Sequence, residues 1–322
     1  MTIMDGQTVL ITGSSGFIGT HLARRLSAQG ASLVCLDLKP PREELAGATY
    51  VTGDVRCLDE LTLPKIDRIF NLAAVHTTPG HPDHEYYDTN VWGAIQAVKL
   101  AERDGVRHIT FTSSISVYGP SEDKKVETSE PAPVSAYGKS KLMAEEIHRG
   151  WLGHGEDRKL TIVRPAVVFG PGEGGNFTRM AALLKKGFFV FPGRRDTIKS
   201  CIYVEDLLEL VLAAGATQAS YELLNGAYRE CPTLETIVTS LRDAYFPSVK
   251  LYDVPQGVVM GAAKTLATFR GFGLGIHPDR VTKLVRSTYV YPGWAERNGL
   301  LEEGSFKAGL QRWAKETNGS FL

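Results

Sequence analysis

The sequence predicts an α/β protein with a doubly wound parallel sheet and a smaller, mostly helical C-terminal lobe. Short apolar runs alternate with segments of helical spacing along the first half of the chain. These runs are continuous rather than alternating in polarity, as in strands that helices cover on both faces. A glycine-rich turn also separates the first apolar run from the first helical segment, which is typical of a strand–turn–helix unit.

The predicted elements of this sheet follow one another regularly. Strands are expected at Thr8–Thr12, Ser32–Leu38, Asp67–Ala73, His108–Ser113 and Leu160–Arg164, with helices at Phe17–Gln29, Glu85–Arg103 and Ser135–Trp151. A helix between two strands makes a right-handed crossover, so the strands run parallel. The expected fold is therefore of the Rossmann type, with its ligand site beyond the carboxyl ends of the strands.

The proline- and glycine-rich stretch Arg164–Gly175 predicts a lobe boundary. We expect residues 1–170 to form the first domain, with part of the later chain returning to it, and residues 171–322 to form mainly the second lobe. Helices are predicted there at Thr178–Lys186, Val204–Ala216, Thr233–Tyr245 and Ser305–Thr317, with only short strands such as Tyr221–Leu224.

Composition narrows the function classes. Among 322 residues, Lys plus Arg and Asp plus Glu are 36 each, so the broad cationic surface of most nucleic-acid and membrane-surface binders is not expected. No apolar run is long enough to span a membrane, and no secretory leader is recognised. The cysteines are widely separated, which favours a reducing, cytoplasmic compartment; they are Cys35, Cys57, Cys201 and Cys231.

The glycine-rich turn has the spacing of a dinucleotide site. Gly13 allows the sharp turn, Gly16 lets backbone amides approach a pyrophosphate, and Gly19 allows close packing of helix on strand. A plain glycine-rich turn is the alternative. Asp37 ends the next strand, where a carboxylate accepts hydrogen bonds from ribose hydroxyls and repels a 2′-phosphate, so NAD is favoured over NADP. Lys39 weakens that preference.

A tyrosine and a lysine form the candidate catalytic pair. Tyr137 and Lys141 lie one turn apart on a predicted helix, and a neighbouring ammonium group favours the phenolate, making Tyr137 a proton acceptor. A chance pair on a solvated helix is the alternative. Ser114 follows a predicted central strand and is placed to donate to a substrate oxygen shared with Tyr137.

With Gly53–Val55, Asn71–Ala74 and Arg164–Gly172, these motifs resemble the extended short-chain dehydrogenase/reductase family of NAD-dependent epimerases and dehydratases. The resemblance covers nearly the whole chain, since Cys201–Leu207 and Leu301–Thr317 are similar to its C-terminal elements. It implies Ser114, Tyr137 and Lys141 as the catalytic residues. The cofactor residues that it implies are Gly13, Gly16, Phe17, Ile18, Gly19, Asp37, Leu38, Asp54, Val55, Leu72, Ala73, Ala74, Thr112, Tyr137, Lys141 and Pro165.

Departures from the subfamily patterns narrow the implied reaction. Ile115 and Ser116 stand where related dehydratases, decarboxylases and 3,5-epimerases carry acidic residues or a cysteine. The resemblance then implies a nucleotide-sugar 4-epimerase that acts through a transient 4-keto sugar, for example in polysaccharide biosynthesis. One alternative is a nucleotide-sugar dehydrogenase or 4-keto reductase with exchangeable cofactor. A non-catalytic dinucleotide-binding sensor is the alternative from another class.

The resemblance also suggests substrate-binding residues, which are His76, Ser114, Asn176, Lys199 and Arg280. The segment from His76 to Asp88 carries histidines and carboxylates, but its prolines and glycine make it irregular, so we expect no metal site. Two interpretations of this segment remain, a loop that borders the sugar and a loop that only faces solvent. By the same resemblance, the helices Glu85–Arg103 and Ser135–Trp151 are expected to pair in a homodimer.

Overall fold

The structure is a computed structural model that describes residues 6–78, 80–255, 257–258 and 285–322. The chain forms two compact units. The first runs to Gly119 and continues in Ser129–Pro165 and Val204–Gly226. The second contains Pro120–Thr128, Ala166–Tyr203 and the chain from Ala227 onwards.

The elements lie as follows. The strands are β1 (Thr8–Thr12), β2 (Ser32–Asp37), β3 (Thr49–Thr52), β4 (Arg68–Asn71), β5 (His108–Thr112), β6 (Ser121–Lys125), β7 (Lys159–Pro165), β8 (Val167–Phe169), β9 (Phe188–Pro192), β10 (Cys201–Tyr203), β11 (Tyr221–Gly226), β12 (Lys250–Val254) and β13 (Thr288–Val290). The helices are α1 (Phe17–Ala28), α2 (Asp83–Asp104), α3 (Ala136–Gly153), α4 (Asn176–Lys185), α5 (Val204–Ala216), α6 (Leu234–Tyr245), α7 (Gly293–Arg297) and α8 (Ser305–Glu316), and short 3₁₀ helices cover Val55–Glu60 and Ile115–Tyr118.

The first unit is built on one parallel sheet of seven strands in the order β11-β7-β5-β4-β1-β2-β3. From β1 the chain proceeds one way through β2 and β3, and the other way through β4, β5 and β7. This reversal opens a crevice beyond the carboxyl ends of β1 and β4, where ligands of such folds bind. The predicted doubly wound Rossmann-type sheet is confirmed.

Helices cover both faces of this sheet, which explains its apolar strands. α2 packs against α3 on one face and α1 contacts α5 on the other. The central strands are buried on both sides; Val9, Leu10 and Ile11 of β1 have no exposed surface. Ser135 caps α3 by accepting a hydrogen bond from Gly138 N at 3.1 Å, so this helix begins just before the candidate catalytic tyrosine.

The second unit holds short strands as well as helices. Its described residues form α4, α6, α7 and α8 and three two-stranded parallel pairs, β8 with β10, β9 with β12 and β6 with β13. Two elements expected in it, the helix Val204–Ala216 and the strand at Tyr221, belong to the first unit. The rings of Phe169, Phe177 and Trp313 meet in its core. None of the described helices is long and apolar enough to cross a membrane.

Candidate active site

The glycine turn after β1 has a shape that a side chain would fill. Gly13 has a φ of 73°, and a Cβ there would lie 2.8 Å from the amide nitrogen of Ala73. Its own amide donates to Leu36 O at 2.8 Å, which ties the turn to β2. α1 then begins at Phe17 and Ile18 with no acidic side chain in its first turn. The helix end therefore suits a pyrophosphate.

Asp37 lies at the end of β2 beside this turn. Its two carboxylate oxygens accept hydrogen bonds from the amides of Ser15 and Lys39, each at 3.0 Å. The neighbouring Leu38 is 65% exposed, so it is free to pack on a ring. Arg42, which the sequence analysis did not identify, donates to Ser15 O at 3.0 Å and places a cation close to Asp37. The carboxylate is thus fixed where a ribose would be recognised.

The Asp54 carboxylate is engaged by its neighbour Arg56. It accepts hydrogen bonds from the amide of Arg56 at 2.9 Å and from its guanidinium at 2.9 and 2.6 Å. The side-chain hydrogen bond from Arg56 lowers the pKa of Asp54, and partial burial opposes this. Val55 is buried next to it, and a Cβ on Gly93 of α2 would lie 2.8 Å from Val55 Cγ1. These contacts fix Asp54 and Val55, two of the implied cofactor residues, beside α2.

The segment after β4 is held against the glycine turn by Thr12. The hydroxyl of Thr12 accepts hydrogen bonds from the amides of Leu72 and Ala73, each at 3.2 Å, and donates to Asn71 Oδ1 at 2.8 Å. Because these amides turn toward β1, the strand ends at Asn71, earlier than predicted. Residues Leu72–Ala74 consequently lie beside the turn, as expected for a wall of the dinucleotide site.

Asn90 of α2 is a buried positioning residue that the sequence analysis missed. Its side chain accepts from the amide of Val75 at 2.9 Å, donates to the carbonyl of Val75 at 3.1 Å and donates to Ser140 Oγ at 2.9 Å. It thereby joins the segment after β4 to both α2 and α3. An asparagine on the apolar face of a predicted helix was the signal that could have found it.

Ser114, Tyr137 and Lys141 are brought together at the carboxyl end of β5, whose last residue is Thr112. The hydroxyl of Tyr137 shares a hydrogen bond with the Ser114 hydroxyl. Ser114 also accepts from the amide of Ser116 at 3.1 Å, which fixes it as the cap of the 3₁₀ helix that follows. The predicted catalytic trio therefore lies at the edge of the sheet that binds ligands.

The electrostatics of the trio differ from the expectation that Lys141 lowers the pKa of Tyr137. Burial raises the pKa of Tyr137, and the opposing influence is the hydrogen bond from Ser114. Lys141 is only 1% exposed, and its Nζ lies 4.3 Å from the ring centroid of Phe111. Burial lowers the pKa of Lys141 to about 7, while the charge of Glu145 opposes this. Desolvation is therefore the largest influence on the pKa of both Tyr137 and Lys141.

The residues around the trio include the predicted sugar-side loop. The ring of Tyr86 packs against the ring of Tyr137, with 6.2 Å between their centroids. The Tyr86 hydroxyl donates to Thr77 O at 2.6 Å, which fixes the loop to α2. His76 is exposed there and interacts electrostatically with Lys141. His81 instead pairs with Glu85 at the start of α2, with 2.7 Å between His81 Nδ1 and Glu85 Oε2. Among the described residues, no group of histidines, cysteines and carboxylates could hold a metal ion.

Asn176 and Lys199, two further predicted substrate residues, belong to the second unit. Asn176 is exposed as the first residue of α4. Lys199 donates to Arg286 O at 2.5 Å, and burial lowers its pKa to about 8 against the charge of Glu122. Arg280 lies outside the described residues. Pro165, one of the implied cofactor residues, ends β7 in the first unit.

Comparison with known proteins decides the family. Residues 9–225 match the model of the NAD dependent epimerase/dehydratase family. The chain belongs to this NAD-dependent epimerase/dehydratase family. The predicted family, the assignment as an enzyme of the extended short-chain dehydrogenase/reductase type and the assignment of NAD as cofactor are thereby confirmed.

Several relatives of this epimerase/dehydratase family member are named as 4-epimerases. The chain is 30% identical over 313 residues, 94% of its length and 93% of the relative's, to an N-acetyl-α-D-glucosaminyl-diphospho-ditrans,octacis-undecaprenol 4-epimerase of Escherichia coli O157:H7. It shares 27% identity over 217 residues, 64% of its length and 66% of the relative's, with a UDP-glucose 4-epimerase of Vibrio cholerae. Among solved structures, a UDP-glucose 4-epimerase of Thermotoga maritima with UDP-glucose matches with a TM-score of 0.78, at 19% identity over 98% of this chain and all of that one.

The geometry of this family member fits the dinucleotide. The glycine turn packs tightly against the segment after β4, because a Cβ at Gly13 would meet backbone atoms of Ala73. Asp37 is held by amides beside that turn. Residues of the first unit alone supply every predicted cofactor contact from Gly13 to Pro165. Which of them touch NAD stays a prediction.

Proposed function

We propose that the chain is a 4-epimerase of a nucleotide sugar that acts through a transient 4-keto sugar. The observation that carries this proposal is the hydrogen-bonded pair Ser114 and Tyr137 at the carboxyl end of β5, with Lys141 one turn beyond Tyr137 on α3. Ile115 and Ser116, which follow the pair, bring no carboxylate for water elimination. The 4-epimerase activities named for its relatives support the same reaction.

In this mechanism the residues of the chain move and hold one proton. Tyr137 removes the proton of the sugar 4-hydroxyl and later returns it, and Ser114 holds the same oxygen by a hydrogen bond. Lys141 supplies positive charge near the phenol. The bound dinucleotide supplies the hydride acceptor and donor, so the net redox change is zero. Asn176 and Lys199 are proposed to bind the diphosphate, and His76 the sugar.

A lipid-linked sugar is the second candidate substrate. The relative from E. coli O157:H7, which matches over almost the full length of both chains, is named for an N-acetylglucosamine carried on undecaprenyl diphosphate. Both candidate substrates share a sugar joined to a diphosphate, and they differ in what the diphosphate carries. The local cation Lys199 suits the shared part, because lysine binds phosphate as a point charge without selecting its substituent.

The test incubates the purified protein with UDP-, GDP-, dTDP- and CDP-sugars and with polyprenyl-diphosphate N-acetylglucosamine, without added dinucleotide. Formation of the 4-isomer supports the proposal and identifies the carrier. Conversion that needs added NAD or NADH makes the protein a dehydrogenase or 4-keto reductase instead. Tyr137→Phe should lower turnover by about 10²–10⁴-fold, whereas Tyr252→Phe, an exposed tyrosine of β12, should not. A dinucleotide sensor would show no conversion with any sugar.

We further propose a cytoplasmic homodimer that pairs α2 and α3 of two copies. Large apolar side chains are exposed on both helices, with Trp92 44% and Met143 48% exposed. The cysteines are unpaired, which suits a reducing compartment. Light scattering after size exclusion should give twice the chain mass, and Met143→Lys should shift it toward the monomer. A natural protein that elutes as a monomer contradicts the dimer.

A further inference from the structure

Glu145 is a buried carboxylate that has no role in the mechanism proposed above. It lies on α3 one turn beyond Lys141, with no exposed surface. Ser113 Oγ donates to its Oε1 at 2.5 Å, and the Arg164 guanidinium of β7 donates to its two oxygens at 2.8 and 2.6 Å. Arg149 donates to Oε2 at 2.9 Å. A carboxylate held this closely stays in one place relative to its neighbours on α3.

Glu145 is ionised in spite of its burial. Burial alone would raise the pKa of its carboxyl, but the hydrogen bonds from Arg164 and Ser113 and the charges of Arg164 and Arg149 outweigh it, so the pKa is lowered. A fixed negative charge therefore stands one turn from the Lys141 ammonium. It counteracts the desolvation that brings the pKa of Lys141 to about 7.

Other groups face Lys141 from each element around it. Phe111 of β5 lies under its Nζ, and His148 of α3 stacks on Phe111 at 4.3 Å between ring centroids. Burial lowers the pKa of His148 to about 4, so that ring is neutral. His76, from the segment after β4, also interacts with Lys141. The Phe111 ring face favours the ammonium form as well, and among the titratable groups named here Glu145 is the one whose charge favours it.

Glu145 also contacts the residue next to Ser114. Ser113, its hydrogen-bond donor, immediately precedes Ser114, and the Ser113 amide donates to Val163 O of β7 at 2.7 Å. The same carboxylate thus ties the strand end that carries Ser114 to the helix that carries Tyr137 and Lys141.

Resting on the proposed function, we propose that Glu145 is a positioning residue that holds Lys141 in its charged form so that Tyr137 can carry the negative charge. When the pair has lost one proton, it exists either as phenolate with ammonium or as phenol with neutral amine. Only the first form accepts the proton of the sugar hydroxyl. The negative charge of Glu145 favours that form, and its removal favours the inactive one.

The test compares two variants with opposite expected signs. Glu145→Gln removes the negative charge with little change of shape, and should lower the pKa of Lys141 by about one. Arg149→Gln removes a partly exposed cation that pairs with Glu145, and should raise the pKa of Lys141. Glu146→Gln is the control, because this neighbouring carboxylate is exposed and also pairs with Arg149. The pKa is read from the NMR signals of carbon-labelled lysine, with Lys141→Met assigning the resonance.

Activity supplies the second readout. In Glu145→Gln the acidic limb of the pH profile of kcat/KM should move to lower pH, because Lys141 loses its proton more easily. The plateau should fall about tenfold, because more of the Tyr137–Lys141 pair that has lost one proton is then phenol with neutral amine. A merely structural loss would lower the plateau and leave the limb in place. Glu146→Gln should change neither.

The outcomes separate this inference from the proposed function. A Lys141 titration that neither Glu145→Gln nor Arg149→Gln moves overturns the role of Glu145, even if the natural protein epimerises sugars. Shifts of opposite sign with no epimerisation by the natural protein sustain the electrostatic role and overturn the proposed function. If Glu145→Gln does not fold, Arg149→Gln decides alone: an upward shift supports the proposal, and no shift or a downward one overturns it.

Discussion

Gly19 packs so closely on Gly13 that a Cβ at Gly19 would lie 2.2 Å from the Gly13 carbonyl oxygen. The atoms involved are backbone, so no side chain can move aside. α1 can therefore approach β1 only with glycine at this position. The same contact holds the first turn of α1 beside the residues that we expect to bind the dinucleotide.

Gly19→Ala should for this reason destabilise the first unit by about 1–3 kcal/mol and weaken NAD binding. Denaturant unfolding measures the first effect and calorimetric titration the second. Gly150→Ala is the matched control, since Gly150 lies in α3 with no atom near its Cβ position; it should stabilise the protein by about 0.5–1 kcal/mol. Equal behaviour of the two variants would contradict the close-packing argument.

Asp37 should decide which dinucleotide binds. Asp37→Ala removes the carboxylate that the amides of Ser15 and Lys39 hold in place, and leaves Arg42 nearby. We expect NAD affinity to fall about tenfold and NADP affinity to rise, because a repulsive charge is replaced by a net positive one. Titration with both dinucleotides measures this. Asp59→Asn, an exposed acid of the first unit, should leave the ratio unchanged; an unchanged ratio in Asp37→Ala contradicts the assignment.

Local patterns in the sequence were enough to predict most strands and helices of the seven-stranded sheet. β1 was predicted at Thr8–Thr12 as observed, and α3 to within about two residues at each end, because apolar periodicity and the cap at Ser135 are local signals. The spacing of Tyr137 and Lys141 fixed their shared face once that helix was known. Such features depend on residues close in the chain.

Features that depend on distant residues were not predictable in this way. The hydrogen bonds of Asn90 join segments far apart in the sequence, and the pairing of Glu145 with Arg164 depends on how α3 lies against β7. The short pairs of the second unit gave no period-two signal long enough to detect. The low pKa of Lys141 arises from burial, which composition and spacing do not reveal.

Asn90 should matter for both stability and turnover. Asn90→Ala leaves the amide and carbonyl of Val75 without their side-chain partner, and buried unpaired groups cost about 1–3 kcal/mol each. Because the released segment carries His76 toward the proposed sugar site, KM should rise more than kcat falls. Steady-state kinetics and denaturant unfolding measure these effects. Thr89→Ala, the preceding residue of α2, is the control. A variant with unchanged KM contradicts the positioning role.

The depressed pKa of Lys141 should be visible as pH-dependent stability. In the folded chain this pKa is about 7, whereas a free lysine has 10.5, so the unfolded chain binds more protons between those values. The free energy of unfolding should therefore rise with pH in this interval. Lys141→Met removes this contribution: its stability relative to the natural protein should be greatest below about pH 7 and decline by up to about 5 kcal/mol toward pH 10.5. Denaturant unfolding at several pH values measures the difference.

The control is Lys139→Met, which replaces an exposed lysine of the same helix. Its stability relative to the natural protein should not depend on pH. The same flat profile for Lys141→Met would show that Lys141 titrates as an ordinary lysine.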